Sequence, residues 1–301
     1  MQHRLLASAI KKGDRAALAR GITLAENDPS SGAELLGQMG VPGRAFVVGI
    51  TGPPGTGKST LVDRLIAAYR IKGLKVGVIA VDPTSPITGG ALLGDRIRMT
   101  AHADDRQVFI RSMASRGWSG GLSRATTQVI RLMDAAGFDV ILLETVGIGQ
   151  SDIEVVGVSH AVLVVLMPGL GDEIQVSKAG LMEVGDVYVV NKSDLEGADT
   201  MVVSLLSLFR GSRRSPPVLK ASALSGEGIE GLQEAIEKIR SGFAGDDGLR
   251  LRSIRGMIVE TARGAAMERL AALSESRSAT LAKQVLEGKA TVEEAAAKLA
   301  R

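Results

Sequence analysis

Residues 52–59 read Gly-Pro-Pro-Gly-Thr-Gly-Lys-Ser, a complete match to G-x-x-x-x-G-K-[ST]. This stretch restricts the fold strongly, because the motif has meaning only between a strand and a helix. Both flanks fit. Phe46-Val47-Val48-Gly49-Ile50 is a continuous apolar run that predicts a buried strand, and Leu61, Leu65, Ala68 and Tyr69 then recur at helical spacing. A strand–loop–helix unit of this kind points backbone N–H groups and a helix N-terminus at phosphate oxygens. Gly52, Gly55 and Gly57 let the backbone pass close to such a ligand. Lys58 would reach the β- and γ-phosphates, and Ser59 would place its hydroxyl on Mg²⁺. Thr56 and Thr60 complete the candidate phosphate-binding set.

From Arg44 onward, strand and helix patterns alternate. Strands are predicted over 44–50, 75–81, 107–111, 138–144, 161–167, 187–191 and 218–221. Helices are predicted over 58–72, 121–136, 172–184, 198–210 and 228–241. Most strand runs are unbroken Val/Ile/Leu, as for strands covered on both faces. The expected class is therefore α/β: a doubly wound, mostly parallel sheet. Residues 1–38 read as helical with a turn near Asn27-Asp28-Pro29-Ser30, packed outside the main domain. Phe243 to Gly248 reads as a linker. Residues 249–301 read as helical, with apolar positions such as Ile254, Ile258, Leu281 and Leu286. The expected division is an N-terminal helical segment (1–40), a P-loop domain (41–245) and a C-terminal helical segment (246–301).

Composition narrows the chemistry. Hydrophobic residues make up 45% and charged residues 23% of the 301 positions, so a sizeable core is possible; aromatics are only 3%, so it must be aliphatic. Cysteine is absent and the three histidines, His3, His102 and His160, are scattered. Disulfides and thiolate metal sites are thereby excluded. The net charge of +3 comes without a basic block, so no nucleic-acid partner is expected. The longest apolar run, Ala161 to Met167, is too short to span a bilayer, and the N-terminus lacks the apolar core of a signal peptide. No membrane association is expected, and the expected location is cytoplasmic.

Further motifs extend the phosphate site. Asn191-Lys192-Ser193-Asp194 follows the run Val187-Tyr188-Val189-Val190. N-K-x-D at the carboxyl end of a strand suits guanine: the Asp194 carboxylate can accept from N1–H and the 2-amino group together. The Lys192 stem can lie along the base, and Asn191 can tie loops together. Ser222-Ala223-Leu224 ends the next strand and is similar to an S-A-x loop whose backbone N–H contacts guanine O6. The run Asp139 to Glu144 ends in a carboxylate that can hold Mg²⁺ directly or through water. Glu144-Thr145-Val146-Gly147 follows as an E-T-x-G loop in which Gly147 could donate its N–H to the γ-phosphate. Ile148 then occupies a position where Ras-like enzymes carry a water-orienting glutamine; an aliphatic side chain cannot do this, so slow unassisted hydrolysis is expected. Asp82 and Asp95 can converge near Mg²⁺ and the γ-phosphate.

Together these residues resemble the MeaB/ArgK-type GTPases, of the metallochaperone-related branch of P-loop GTPases. Beyond the P-loop, the carriers are Val81-Asp82-Pro83-Thr84-Ser85-Pro86, Gly89 to Arg96, Glu144 to Ser151, Pro168 to Gln175 and Asn191 to Asp194. The resemblance runs from about Gly13 to Leu270. It implies a GTPase with Mg²⁺ as cofactor and GTP and GDP as substrate and product. It also implies a chaperone role for an adenosylcobalamin-dependent acyl-CoA mutase of the methylmalonyl-CoA mutase type, gating cofactor loading and protecting the enzyme. Switches are implied around 82–98, 144–154 and 169–178. Within the third, Asp172, Glu173, Gln175 and Lys178 match positions that link nucleotide to mutase. A homodimer through the C-terminal helices is implied as well. Trp118-Ser119 departs from the family pattern, where a small residue and leucine are more usual. Three rival functions are a nickel-insertion GTPase, which would need the missing Cys/His cluster, a kinase of a transport-related protein, against which N-K-x-D argues, and a nucleotide-gated interaction module that shares the site but shows no turnover.

Overall fold

The computed structural model describes residues 2–40, 44–82, 102, 104–114, 124–145, 151–169, 181–210, 214–244, 246–271 and 275–299. Its centre is a seven-stranded sheet in the order β3-β2-β4-β1-β5-β6-β7. The strands are β1 (Phe46–Thr51), β2 (Val76–Asp82), β3 (Val108–Ala114), β4 (Val140–Glu144), β5 (Ala161–Leu166), β6 (Val187–Val190) and β7 (Val218–Lys220). Every described pairing is parallel.

Period-two alternation assigns the apolar residues of the central strands to one of two cores. Phe46, Val48 and Ile50 of β1, with Val140 and Leu142 of β4 and Leu163 and Val165 of β5, face helices α4 (Lys58–Ile71) and α9 (Ile229–Ala244). Val47, Ile141, Leu143, Val162 and Val164 face the opposite side. There they meet α5 (Arg124–Ala135), α6 (Ser151–Val158) and the N-terminal helices. Between α6 and β6 lies the short α7 (Leu181–Val184), and α8 (Ala198–Phe209) follows β6. Strands buried on both sides need continuous apolar runs, which explains why the pattern carried no polar face.

The N-terminal region is three helices rather than two: α1 (Gln2–Lys11), α2 (Arg15–Asn27) and α3 (Pro29–Gly37). The expected break at 27–30 is a cap, in which the Asp28 carboxylate accepts from the Ser30 and Ser31 N–H groups and Pro29 opens the helix. A second break, at Gly13, was not expected; Asp14 accepts from Ala17 N–H at 2.8 Å and starts α2. These helices share a buried cluster with α5 and the sheet, so they complete the core. An Arg111–Glu26 ion pair fastens α2 to β3.

The expected linker at 243–248 is instead almost continuous helix. Helix α9 runs to Ala244, and α10 (Asp247–Ala271) begins three residues later. Phe243 packs on Phe46 and on His160, with ring centroids 5.7 and 4.1 Å away. Its burial contact outweighs the Gly/Asp composition that suggested a linker. Helix α10 then lies across α6 so closely that a Cβ on Gly256 would sit 2.2 Å from the Gly157 carbonyl oxygen. Beside this crossing, α5 and α10 leave a cavity of about 530 Å³ lined by Val47, Ile130, His160, Phe243, Met257 and Ile258, among others. Helices α11 (Glu275–Leu286) and α12 (Val292–Leu299) end the described chain. Among the described residues, no helix is long and apolar enough to cross a membrane.

Candidate nucleotide-binding site

In this topology the chain moves outward from β1 to β2 and β3, returns to β4, and crosses β1 to reach β5. The crevice outside the carboxyl end of β1 is therefore the switch point where open α/β sheets bind ligands. The motif loop lies there. Gly52 has φ of 140°, and a Cβ on it would sit 2.0 Å from the Val165 carbonyl oxygen, so only glycine fits. Gly57, at φ 86°, is the N-cap of α4 and supplies no side-chain cap. The first N–H groups of α4, at Lys58, Ser59 and Thr60, thus open toward the loop, as an anion site requires. Thr56 Oγ1 donates to the Pro53 carbonyl at 2.9 Å and stiffens the turn.

Lys58 and Ser59 are both buried. The Lys58 ammonium donates to the carbonyls of Gly52 at 2.9 Å and Pro53 at 3.1 Å, which holds the cation inside the loop. The Ser59 hydroxyl donates to Glu144 Oε1 at 2.7 Å. Glu144 ends β4, directly beside β1, and is 4% exposed. Thr145 follows it; its hydroxyl donates to Thr51 Oγ1 at 3.1 Å and its N–H to the Ile50 carbonyl at 3.0 Å. A buried serine hydroxyl paired with a carboxylate beside a phosphate-binding loop is the donor set that Mg²⁺ takes together with phosphate oxygens.

The base end is assembled around Asn191, which is 1% exposed. Its Nδ2 donates to the Thr56 carbonyl at 2.8 Å, and its Oδ1 accepts from Ala223 N–H at 3.0 Å. One amide thus joins the phosphate loop, the 191–194 loop and the 222–224 loop. Lys192 has φ of 57°, the one positive value at a non-glycine among the described residues. Its neighbour Ser193 donates its N–H to the Ala221 carbonyl. The Ser222 hydroxyl donates to Asp194 Oδ1 at 2.8 Å, which orients the carboxylate. Ala223 N–H is engaged by Asn191, whereas Leu224 N–H has no hydrogen-bond partner among the described residues.

Asp82 lies at the carboxyl end of β2, two residues past the Ala80 that pairs with Glu144. Gly147, Ile148, Asp95, Trp118, Asp172, Glu173, Gln175 and Lys178 lie outside the described residues. Sequence reasoning missed Arg64 and the Thr51–Thr145 pair. Arg64, on α4, donates through Nε to the Ala223 carbonyl at 2.8 Å and through Nη2 to the Leu224 carbonyl at 2.7 Å. An arginine on a helix reads as a solvated face, and its partners lie 159 and 160 positions away.

A family model described as methylmalonyl-CoA mutase-associated GTPase MeaB matches residues 18–279. A Pyrococcus horikoshii protein named as a GTPase is 52% identical over 241 residues, covering 77% of this chain and 76% of its own length. GTPase ArgK of Escherichia coli K12 is 38% identical over 259 residues, covering 82% of this chain and 78% of its own. A solved structure named as a LAO/AO transport system kinase superposes with a TM-score of 0.74 at 27% identity, over 99% of this chain and 96% of that one. With a model matching most of its length and relatives this similar, the chain belongs to the MeaB family of methylmalonyl-CoA mutase-associated GTPases and is a GTP hydrolase.

Proposed function

We propose that this GTPase times the loading and protection of an adenosylcobalamin-dependent acyl-CoA mutase of the methylmalonyl-CoA mutase type. The observation that carries the reading is the match of a mutase-associated GTPase model over residues 18–279. In this reading Gly52, Gly55, Thr56, Gly57 and Thr60 line the phosphates, and Lys58 leaves its loop carbonyls to pair with the β- and γ-phosphates. Ser59 and Glu144 hold Mg²⁺ with phosphate oxygens, and Asp82 and Asp95 add acceptors nearby. Held there, the ion would supply positive charge against that developing on the transferred phosphoryl group. Gly147 N–H binds the γ-phosphate. Asp194 reads the guanine N1–H and 2-amino group, Lys192 lies along the base, and Ser222, Ala223 and Leu224 close over it.

Asp172, Glu173, Gln175 and Lys178 then respond to the mutase, with Lys178 supplying positive charge when the partner is bound. The chaperone acts as a homodimer through residues 246–301. The exposure of Leu251, Ile254, Ile258 and Val259 on α10 supports that arrangement. A phosphate-release assay with and without methylmalonyl-CoA mutase tests the reading. Stimulation by the mutase that is lost in Lys178→Ala, with basal turnover kept, is the expected result. Failure of the mutase to bind or stimulate in any nucleotide state overturns it. A protein-kinase reading draws only on the name borne by the structural relative. Transfer of phosphate from ATP to a protein acceptor, in preference to GTP hydrolysis, would favour it.

A further inference from the structure

The loop that closes the base end is gripped from its far side by α4. Arg64 lies six residues past Lys58 on the same helix, so one rigid element presents both the phosphate cation and this guanidinium. Its fork takes two successive carbonyls, Ala223 at 2.8 Å and Leu224 at 2.7 Å. A planar fork on two acceptors fixes orientation as well as distance, which a lysine cannot reproduce.

The consequence falls on the peptide joining Ala223 to Leu224. It is trans, as are all described peptide bonds. In a trans peptide the C=O and N–H point in opposite directions. Holding the Ala223 oxygen toward α4 therefore turns the Leu224 N–H away from it. The neighbouring donors of this loop are engaged: Ser222 N–H by the Glu227 carbonyl, Ala223 N–H by Asn191 Oδ1, and Ser225 N–H by Ser222 Oγ at 3.4 Å. Leu224 N–H is left without a partner among the described residues. On the same loop, Ser222 orients the Asp194 carboxylate. A ring edge offering two donors beside a keto oxygen would meet Asp194 with the first and the Leu224 N–H with the second.

We propose that Arg64 is a positioning residue for base selection, aiming the Leu224 N–H at the 6-keto oxygen of guanine. The inference rests on the guanine reading of Asp194 given above. Arg64 itself is exposed, and alanine is well tolerated at an exposed helical position, so Arg64→Ala leaves the fold intact.

The test compares GTP with 6-thio-GTP by calorimetric titration, in wild type, Arg64→Ala and Arg64→Lys. The sulfur analogue keeps both donors for Asp194 and weakens only the acceptor at position 6. For one aligned hydrogen bond, Arg64→Ala should lose about tenfold in GTP affinity and less than about twofold for 6-thio-GTP. Arg64→Lys should fall between, and thermal midpoints should agree. Equal losses for both nucleotides, or no loss for either, overturn the assignment. Wild-type protein that binds ATP as tightly as GTP would instead remove the guanine reading. A wild-type preference for GTP over ATP that is undiminished in Arg64→Ala overturns the role of Arg64 alone.

Discussion

The Ser59 hydroxyl donates to Glu144 Oε1 at 2.7 Å, joining the first turn of α4 to the last residue of β4. Neither residue is more than 8% exposed. Burying a carboxylate is costly unless it is hydrogen-bonded or meets a cation. On the function proposed above, this pair would receive Mg²⁺ when phosphates arrive. Glu144→Gln keeps the size and can still accept from Ser59 but removes the charge. It should weaken the Mg²⁺-dependent gain in GTP affinity by about 10–100-fold while leaving metal-free affinity within a few-fold. Titrations in Mg²⁺ and in EDTA check this, and equal losses in both media would count against a metal role.

Asp194 offers a test confined to the base. Asp194→Asn exchanges an acceptor for an amide that also donates, so xanthine should replace guanine as the preferred base. Two charge-assisted bonds at roughly 1.5–3 kcal/mol each predict a loss of GTP affinity of about two to four orders of magnitude. Competition between GTP and XTP is the measurement. A fall of less than about tenfold for GTP would leave base recognition to other residues.

His160 predicts a pH dependence of stability. Its Nδ1 accepts from Val47 N–H at 2.8 Å, and its ring stacks on Phe46 and lies tilted against Phe243. Burial lowers its pKa from 6.5 to about 4. The unfolded chain therefore binds this proton first, and stability is lost as pH falls from about 6.5 toward 4. Between pH 7 and pH 5 the loss from this group is about 2 kcal/mol. His160→Asn, which keeps an acceptor for Val47 but does not titrate, should show a flatter profile in urea unfolding. Equal slopes in both proteins would show that this histidine titrates freely in the fold.

Much of this arrangement was legible in the chain. Strands β1, β4, β5 and β6 could be read because each is an apolar run buried on both faces, and the loop motifs because each sits at a strand end. What escaped depends on contacts between distant segments. Helix α6 is short and contains Gly157, so Ser151–Val158 carried no helical signal. Gly157 proves to be a helix-crossing residue, meeting Gly256 nearly a hundred positions later. Phe243 looked like the edge of a linker because its ring partners, Phe46 and His160, are remote in sequence. Arg64 carried no signal for the same reason. Asn191 was recognisable as a loop tie, but its two partners, Thr56 and Ala223, could be assigned only in three dimensions.

The Gly157–Gly256 crossing predicts how firmly α10 is held. A methyl group at Gly256 would meet the Gly157 carbonyl oxygen at 2.2 Å, and backbone cannot yield as a side-chain tip does. Gly256→Ala should displace α10 from α6 and lower unfolding stability by about 1–3 kcal/mol, despite alanine's better helix propensity. Accelerated proteolysis near residues 244–250 and a lower thermal midpoint are the expected signs. A midpoint raised by the gain in propensity would place the helices farther apart than described.

Asn191 separates support of the site from recognition of the base. Removing its amide leaves the Thr56 carbonyl and the Ala223 N–H without their buried partner, at about 1–3 kcal/mol each. The first loss loosens the phosphate loop and the second loosens the base loop. Asn191→Ala should therefore weaken GTP, GDP and XTP together by about 10–100-fold or more, with no change in base preference. Asp194→Asn should alter preference while leaving the phosphate loop in place. A double-mutant comparison completes the argument. If Asn191 acts by holding both loops, XTP binding recovered by Asp194→Asn should collapse again when Asn191→Ala is added. Retained XTP affinity in the double variant would mean that the two loops keep their places without Asn191.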